Sequence, residues 1–323
     1  MHQVGFIVYP GFELLDLSGP ASVLSGANRA AAGRGLEPFY EVAVASATGG
    51  AVASSGGIAV DTVAINRLMA EAPRTLLIVG AEREPLLAAV ADAALRAAIP
   101  RLAAAAERFG SICSGGFLLA ALGLFDGRRV ATHWDSCAPL AAAFPKVEVD
   151  AEALYVVDGA LWTSAGMTTG IDMTLAMVAR DLGAAVAGEV AKRMVLYARR
   201  PGYQSQFSPV LTAQVKAGSP FAELIGWVQA NLAQPLDVSS LAGRAGMSER
   251  TFHRRFVAAT GLTPARFIET ARLDAARMLL SRGLPLKSVA AEVGLSPAAR
   301  LSDAFERRFG IAPRLFRDMH AEL

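Results

Sequence analysis

The sequence predicts two domains of different class, an α/β domain built on a parallel sheet and then an all-α domain. The chain has 323 residues, whereas a single hydrophobic core stops growing at roughly 250–300 residues. Short apolar runs alternate with helical patterns in the front part, and the rest is helical throughout. Hydrophobic residues make up 53% and charged residues 19% of the chain, which excludes a disordered protein.

Five apolar runs predict buried strands in the first domain. They are VGFIVYP (4–10), YEVAVAS (40–46), TLLIVG (75–80), RFGSIC (108–113) and ALWTSAG (160–166). Helix-like stretches between them include LLDLSGPASVLSGANRAA, EPLLAAVADAALRAAI and GGFLLAALGLF. Alternating strands and helices predict a parallel sheet covered on both faces, which binds ligands beyond the carboxyl ends of its strands.

Proline and glycine interrupt the apolar pattern near residues 200–219 and mark a domain boundary. We place the first domain at 1–200, a linker at 201–219 and the second domain at 220–323. Residues 216–323 contain 15 basic and 10 acidic residues, a net charge of +5, and the remainder contains 16 and 19, a net charge of −3. The overall charge of +2 therefore conceals an acidic first domain and a basic second one, which suggests nucleic acid as a partner.

Two segments of the second domain repeat each other, LAGRAGMSERTFHRRFVAATGLTP (241–264) and VAAEVGLSPAARLSDAFERRFGIAP (289–313). Gly246 and Gly294 are predicted to end a short helix in the left-handed conformation. Two residues later, Ser248 and Ser296 are predicted to be N-caps of the next helix. The pattern predicts a duplicated helix-turn-helix.

The second helix of each repeat has one apolar face. Phe252 and Phe256 in the first unit, and Leu301 and Phe305 in the second, stand four residues apart and so share a face. The opposite face of the first unit carries Arg250, His253, Arg254 and Arg255. On an isolated helix such residues indicate a solvated face, but within a duplicated helix-turn-helix they favour DNA binding.

Over residues 220–320 the sequence resembles the AraC-type DNA-binding domain. The resemblance implies that each second helix enters a major groove, the two lying roughly 34 Å apart on one DNA face. Asp303 stands where the family usually has a basic or polar residue, so weaker reading of the second half-site is expected, although an acid can accept from a cytosine amino group. The matching positions place base contacts on Arg250, His253, Arg254, Ala299, Arg300 and Ser302.

In the first domain, SICSGGFLLAALGLF places Cys113 between a strand and a helix, with Gly115 and Gly116 after it. A nucleophile elbow has this arrangement, in which a sharp turn exposes the side chain and the helix N-terminus lowers the thiol pKa. The alternative is a buried cysteine at a strand end. Cys137 lies on a helix-like stretch and is assigned no role, and two cysteines form no disulfide framework.

The first domain resembles the ThiJ/PfpI group of the class I glutamine amidotransferase-like superfamily, and more closely the sensor half of GlxA-type regulators. The matching segments are YPGFELLDLSGP (9–20), SICSGGF (111–117), ATHWD (131–135) and TSAGMTTGID (163–172). This resemblance implies a flavodoxin-like fold and a homodimer formed through this domain.

The resemblance places Cys113 on the elbow cysteine, Asp16 on an acid close to it and His133 on a histidine near the thiol. These three would be catalytic in an enzyme. Oxyanion donors would be the backbone N–H groups of Ser114 and of Gly80 or Ala81, although IVGA replaces the double glycine common in the family. Implied ligand-binding residues are Asp16, Gly80, Cys113, Ser114, His133, Ser164 and Thr168, with Thr132, Trp134 and Asp172 as further candidates.

Trp134 could equally be simple packing, and Asp172 could cap or pair locally. Regulators of this type keep the cysteine while sensing ligands, so we expect a transcriptional regulator, an activator in this family's common mode, that senses a small nitrogen-containing metabolite. The alternatives are a thiol-dependent hydrolase, hydratase or lyase using Cys113, fused to a DNA-binding tail, and a redox sensor using the same thiol.

The expected partners are double-stranded DNA, a small-molecule effector, a second copy of the chain and, for an activator, RNA polymerase. No metal, no cofactor and no catalytic activity are expected. The N-terminus, MHQVGFIVYPGF, lacks the basic region of a signal peptide, and the alanine-rich stretches carry charges every few residues. We therefore expect a cytoplasmic protein without a membrane partner.

Overall fold

The first unit is built on an eight-stranded sheet. A computed structural model describes residues 1–196, 200, 202, 206 and 221–320, and the chain divides into units Met1–Gln206 and Phe207–Leu323. The strands among the described residues are β1 His2–Ile7, β2 Tyr40–Ser46, β3 Gly50–Ala53, β4 Ala59–Ala64, β5 Thr75–Ile78, β6 Arg108–Ile112, β7 Arg129–Val130, β8 Glu148–Val149, β9 Tyr155–Asp158 and β10 Leu161–Ser164.

The order of the main sheet is β3-β4-β2-β1-β5-β6-β10-β9, and β7 and β8 form a separate parallel pair. Strands β4 to β10 in this order pair in parallel, whereas β3 and β9 add antiparallel edges. The predicted parallel α/β sheet is confirmed, and all five predicted strands lie within it. The prediction missed β3, β4 and β9, which carry exposed or half-buried residues in place of a continuous apolar run.

Helices cover both faces of this sheet. Within the described part of the first unit they are α1 Leu14–Ala32, α2 Ile65–Glu71, α3 Arg83–Ala91, α4 Ala93–Ala105, α5 Gly116–Ala121, α6 Trp134–Ala143, α7 Thr168–Leu182 and α8 Ala184–Arg193. On β1, Phe6 belongs to the core under α1, α7 and α8, and Ile7 belongs to the core under α2 to α6. Successive strand residues point to opposite faces, so both cores grow from the same strands.

The predicted single helix EPLLAAVADAALRAAI is wrong, because it divides at Asp92. Asp92 leaves the helical conformation with a ψ of 119°, and its Oδ1 accepts the Leu95 N–H at 2.9 Å. A side-chain cap of this kind satisfies a free N–H of the next helix. The stretch therefore forms α3 and α4.

The second unit is helical. Its described helices are α9 Ala222–Ala230, α10 Val238–Arg244, α11 Glu249–Thr260, α12 Pro264–Ser281, α13 Leu286–Glu292, α14 Ala298–Phe309 and α15 Pro313–His320. Helices α10 and α11 form the first helix-turn-helix, α13 and α14 form the second, and α12 connects them. In the described part of the chain, no helix has the length and hydropathy that a membrane crossing requires.

Left-handed glycines separate the two helices of each unit, as predicted. Gly246 has a φ of +64° and Gly294 a φ of +69°. Ser248 is the N-cap of α11, where its hydroxyl accepts the Thr251 N–H at 3.4 Å. The prediction for Ser296 is wrong, because Pro297 occupies the N-cap of α14 and provides no side-chain acceptor. The second helix-turn-helix has one residue more than the first, which shifts the start of its second helix.

Candidate functional site

Strand β6 runs directly into Cys113, which opens a short 3-10 turn, Cys113–Gly115, ahead of α5. Cys113 has a φ of +59°, a conformation that residues with a side chain rarely adopt. Such strain costs about 1–3 kcal/mol and persists only where the surrounding structure enforces it. The strand, turn and helix therefore form the sharp bend of a nucleophile elbow.

Two glycines form the walls around the thiol. A Cβ at Gly166 would lie 2.2 Å from Cys113 Cβ and 2.7 Å from its Sγ, and a Cβ at Gly80 would lie 2.7 Å from Cys113 Cβ. Gly166 also has a φ of +83°. Sequence reasoning did not single out Gly166, although a glycine just after a strand that neighbours the elbow strand could have signalled it.

Asp16, on α1, is fully buried beside this turn. Its Oδ1 accepts the Met167 N–H at 2.6 Å, and its Oδ2 makes no hydrogen bond of normal geometry with the described residues. Burial raises the pKa of Asp16 to about 7, with help from the charge of Glu13 and against the Met167 N–H, the Cys113 thiol and the Gly80 N–H. Near neutral pH this carboxyl can therefore hold a proton.

Cys113 is half-buried, and its surroundings favour the neutral form of the thiol. Burial, followed by the charge of Asp16, raises the pKa of Cys113 above its usual range, and the hydrogen bonds from Ser114 oppose this less strongly. Desolvation and a neighbouring carboxyl thus act against the lower pKa that a helix N-terminus would favour. A protonated thiol is a weak nucleophile.

The expected oxyanion donors are directed at protein groups. The Ala81 N–H donates to Ser114 Oγ at 2.9 Å, and the Ser114 hydroxyl donates to the Ala81 carbonyl oxygen at 2.6 Å. The Gly80 N–H lowers the pKa of Asp16 by hydrogen bonding, and the Ser114 N–H does the same for the Cys113 thiol. Both N–H groups therefore favour the charged form of the group that they contact, and the Ala81 N–H is occupied by Ser114.

His133 precedes α6, and its ring centroid lies 5.3 Å from that of Trp134. Burial lowers the pKa of His133, against the charges of Asp135 and Glu82. This segment reaches the elbow through Thr132, whose hydroxyl donates to the Cys113 carbonyl oxygen at 2.9 Å. Trp134 is 51% exposed and so is not part of the core.

Ser164 ends β10 opposite Ile112 of β6. Its buried hydroxyl has no hydrogen-bond partner among the residues that the structure describes. Thr168 and Asp172, at the start of α7, hold Arg200. The Arg200 Nε donates to Asp172 Oδ2 at 2.9 Å and its Nη2 to Thr168 Oγ1 at 2.7 Å. Asp172 therefore makes an ion pair with Arg200, which lies 28 positions further along the chain.

Most of the predicted linker, 201–219, lies outside the described residues; Gly202 and Gln206 are described. The Leu154 N–H donates to the Gly202 carbonyl oxygen at 2.6 Å. The Gln206 side-chain amide donates to the carbonyl oxygens of Thr132 at 3.0 Å and Ala153 at 2.9 Å. These two residues thus bind the α/β unit close to the elbow.

The second helix of each helix-turn-helix presents the expected faces. On α11, Phe252 and Phe256 are buried, and the exposed residues include Arg250, His253, Arg254 and Arg255. On α14, Ala299, Arg300 and Asp303 are exposed. Ser302 is half-buried, and its hydroxyl donates to the Ala298 carbonyl oxygen at 3.1 Å, which occupies it within the helix.

Comparisons with known proteins agree with this two-part architecture. The DJ-1/PfpI family matches residues 2–180, and a helix-turn-helix domain matches residues 241–319. The chain is 31% identical to the HTH-type transcriptional regulator CdhR of Pseudomonas aeruginosa, across 95% of this chain and 89% of that one. It is 30% identical to the HTH-type transcriptional regulator GlxA of Rhizobium meliloti, across 98% and 96%.

Two further similarities concern the first unit. An isonitrile hydratase of Pseudomonas putida is 28% identical, across 63% of this chain and 82% of that one. A crystal structure of a ThiJ/PfpI family protein from Pseudomonas syringae has a TM-score of 0.54 at 27% identity, covering 70% of this chain and 86% of that one. The chain belongs to the DJ-1/PfpI family and, over nearly its whole length, to the helix-turn-helix transcriptional regulators that join such a domain to an AraC-type DNA-binding domain.

Proposed function

We propose that this regulator binds a small metabolite beside Asp16 and Cys113 without converting it, and that this binding changes the affinity of the protein for DNA. The observation that carries the proposal is the full burial of Asp16 beside the Cys113 turn, which favours the neutral form of both groups. Burial keeps the Cys113 thiol protonated and raises the pKa of Asp16 to about 7. A catalytic thiol needs the opposite shift, whereas a binding site does not.

Two buried oxygens beside the elbow offer polar contacts to the ligand. Asp16 Oδ2 and Ser164 Oγ have no hydrogen bond of normal geometry within the described ranges. Buried polar atoms are normally paired, and leaving one unpaired costs about 1–3 kcal/mol. A nitrogen-containing metabolite would donate an N–H to Asp16, with Ser114, His133 and Thr168 nearby on the elements that form the site.

On the DNA side, Arg250, His253 and Arg254 of α11 read the first major groove, and Ala299 and Arg300 of α14 read the second. The exposed arginines support this. Ser302 contributes less than the sequence suggested, because its hydroxyl is bonded within α14. A homodimer formed by the α/β domains would join two such readers and raise affinity through effective concentration.

The ligand signal would pass through Arg200 and Gln206. Arg200 holds Thr168 at the start of α7, one residue after the Met167 N–H that binds Asp16. Gln206 holds Thr132, whose hydroxyl binds the elbow carbonyl. A ligand that binds one arrangement of these contacts better than another shifts the population toward it. As an activator the protein would act on RNA polymerase, in the cytoplasm.

The alternative is a thiol enzyme that uses Cys113 and Asp16. The similarity to an isonitrile hydratase over the first unit favours it. It requires Asp16 to take the proton from the thiol, and His133 offers little help because the charges that act on its ring belong to Asp135 and Glu82. The enzyme reading predicts turnover that Cys113→Ala abolishes.

Calorimetry with the full-length protein across a panel of amines and amino acids tests ligand binding. We expect at least one compound to bind, Asp16→Leu to lose that binding and Ser164→Ala to weaken it. If no compound of the panel binds, the sensor proposal is contradicted. If Cys113→Ala still activates a reporter in response to the ligand, the enzyme alternative fails; if it destroys a measurable turnover and the response together, the sensor proposal fails.

A further inference from the structure

A second cavity, of 260 Å³, lies at the opposite end of the sheet from the elbow. Arg108, at the start of β6, lines it, whereas Cys113 follows the end of the same strand. A five-residue strand spans roughly 16 Å, so the two sites are separate. His2, at the start of β1, and Asp181, near the end of α7, also line the cavity.

Arg108 forms a rigid wall of this cavity. It is 7% exposed, its Nη1 donates to Asp181 Oδ1 at 2.9 Å, and its Nε donates to Thr75 Oγ1 at 2.7 Å. The Tyr40 hydroxyl donates to Asp181 Oδ2 at 2.7 Å. Both charges of the Arg108–Asp181 pair are therefore balanced and held in place.

Arg180, the third arginine that lines the cavity, makes no ion pair with the described residues. Arg74 pairs with Glu107 at 2.6 Å, which balances those two charges. Arg180 is exposed, and among the described residues it has no carboxylate within ion-pair distance. Burial and the Arg108 charge lower the pKa of His2, so its ring stays neutral. The lining thus carries one uncompensated positive charge.

Flat aromatic surfaces stand beside that charge. Trp162 is 4% exposed, and the guanidinium groups of Arg108 and Arg180 each lie 5.9 Å from its ring centroid. Phe39 is half-buried and stacks on His2 with ring centroids 5.6 Å apart. Guanidinium groups bind carboxylates through a planar fork, and aromatic rings pack against flat apolar groups.

We propose that this cavity is a second ligand site, which takes a small flat carboxylic acid. The carboxylate pairs with Arg180, and the flat body of the acid lies against Phe39, the half-buried aromatic ring of the lining. The cavity is small for a drug-sized ligand, which fits an acid with one ring. The site is independent of the elbow, and helix α7 carries residues of both, Thr168 at one end and Arg180 at the other.

Calorimetry of the full-length protein with benzoate, benzamide and inorganic phosphate tests the site. We expect benzoate to bind once per chain, and benzamide, which has the ring without the charge, to bind at least about tenfold more weakly. Arg180→Ala should weaken benzoate binding by a similar factor. Because Arg180 is exposed, the variant should fold normally, and its melting curve checks this.

Arg101→Ala, which removes an exposed arginine of α4 outside the cavity, and Cys113→Ala should both leave benzoate binding unchanged. The proposal is overturned if benzoate does not bind the wild-type protein, if Arg180→Ala has no effect, or if Cys113→Ala removes the binding. Phosphate binding in place of benzoate would overturn the assignment to a flat acid.

Discussion

Gln206 donates a hydrogen bond from its side-chain amide to the carbonyl oxygen of Thr132 at 3.0 Å. The Thr132 hydroxyl in turn donates to the Cys113 carbonyl oxygen at 2.9 Å. The last described residue before the helical unit is thereby tied to the elbow through a single intervening residue. We propose that a change at the elbow reaches Gln206 through these two hydrogen bonds.

Gln206→Ala should uncouple ligand binding from transcription. We expect the ligand affinity measured by calorimetry to stay within about threefold of wild type, because the ligand site is intact. Induction of a reporter should fall, because the free-energy coupling between ligand binding and DNA binding is lost. Gln229→Ala, an exposed residue of α9, serves as the control and should keep its induction. Equal induction in the two variants would show that Gln206 carries no signal.

Gly166→Ala should destabilise the first unit strongly. The added Cβ would lie 2.2 Å from Cys113 Cβ and would also require a φ of +83°. Gly183 has a similar φ of +88° but nothing within 4 Å of its Cβ position. Gly183 has a ψ of 157°, in a region that is essentially restricted to glycine, so we expect Gly183→Ala to cost about 1–3 kcal/mol. Gly166→Ala should cost several kcal/mol more by overpacking, as measured by chemical denaturation. Equal losses would mean that the elbow relaxes freely around residue 166.

Asp16 should make stability depend on pH. Its pKa is about 7 in the folded protein and about 4 in an unfolded chain. Between these values the folded state holds a proton that the unfolded state has released, so stability falls as pH rises from about 4 to about 7. Asp16→Asn removes this loss, and the wild type should lose up to about 4 kcal/mol relative to it across that range. Denaturation curves at several pH values measure the difference, and a pH-independent difference would contradict the buried, protonated carboxyl.

Arg254→Ala should weaken DNA binding by about 1–3 kcal/mol and relax specificity at one base position. Its side chain is exposed on α11, as a base contact requires. Gel-shift competition with specific and random DNA measures both effects, with Arg101→Ala on the first unit as the control. Equal loss of affinity for both DNAs would assign Arg254 to a phosphate.

Asp303→Arg should strengthen DNA binding, mainly at low salt. Asp303 is exposed on α14, where a negative charge repels phosphates and a positive one attracts them. The salt dependence of the affinity should become steeper by about one counterion. A loss of affinity would instead identify Asp303 as an acceptor for a cytosine amino group.

The sequence by itself determined the features that depend on local order. Strand centres such as Thr75–Ile78, the duplicated helix-turn-helix and its buried Phe252 and Phe256 all follow from period and spacing. Left-handed glycines and side-chain caps act within a few residues, so most of them were predictable. Ser296 and the division at Asp92 were mispredicted where a proline or a cap competed with the pattern.

Only the tertiary structure decided the chemistry of the elbow. The hydrogen bond between Met167 and Asp16 joins residues 151 positions apart, and no local pattern contains it. The raised pKa of Cys113 depends on how completely α1, β6 and the turn at Gly166 exclude water, because desolvation acts against the lower pKa that a helix N-terminus would favour. The uncompensated charge of Arg180 likewise depends on the tertiary structure, which brings the end of α7 to the starts of β1 and β6. Sequence places each group along the chain, but burial and charge balance arise from what surrounds it in space.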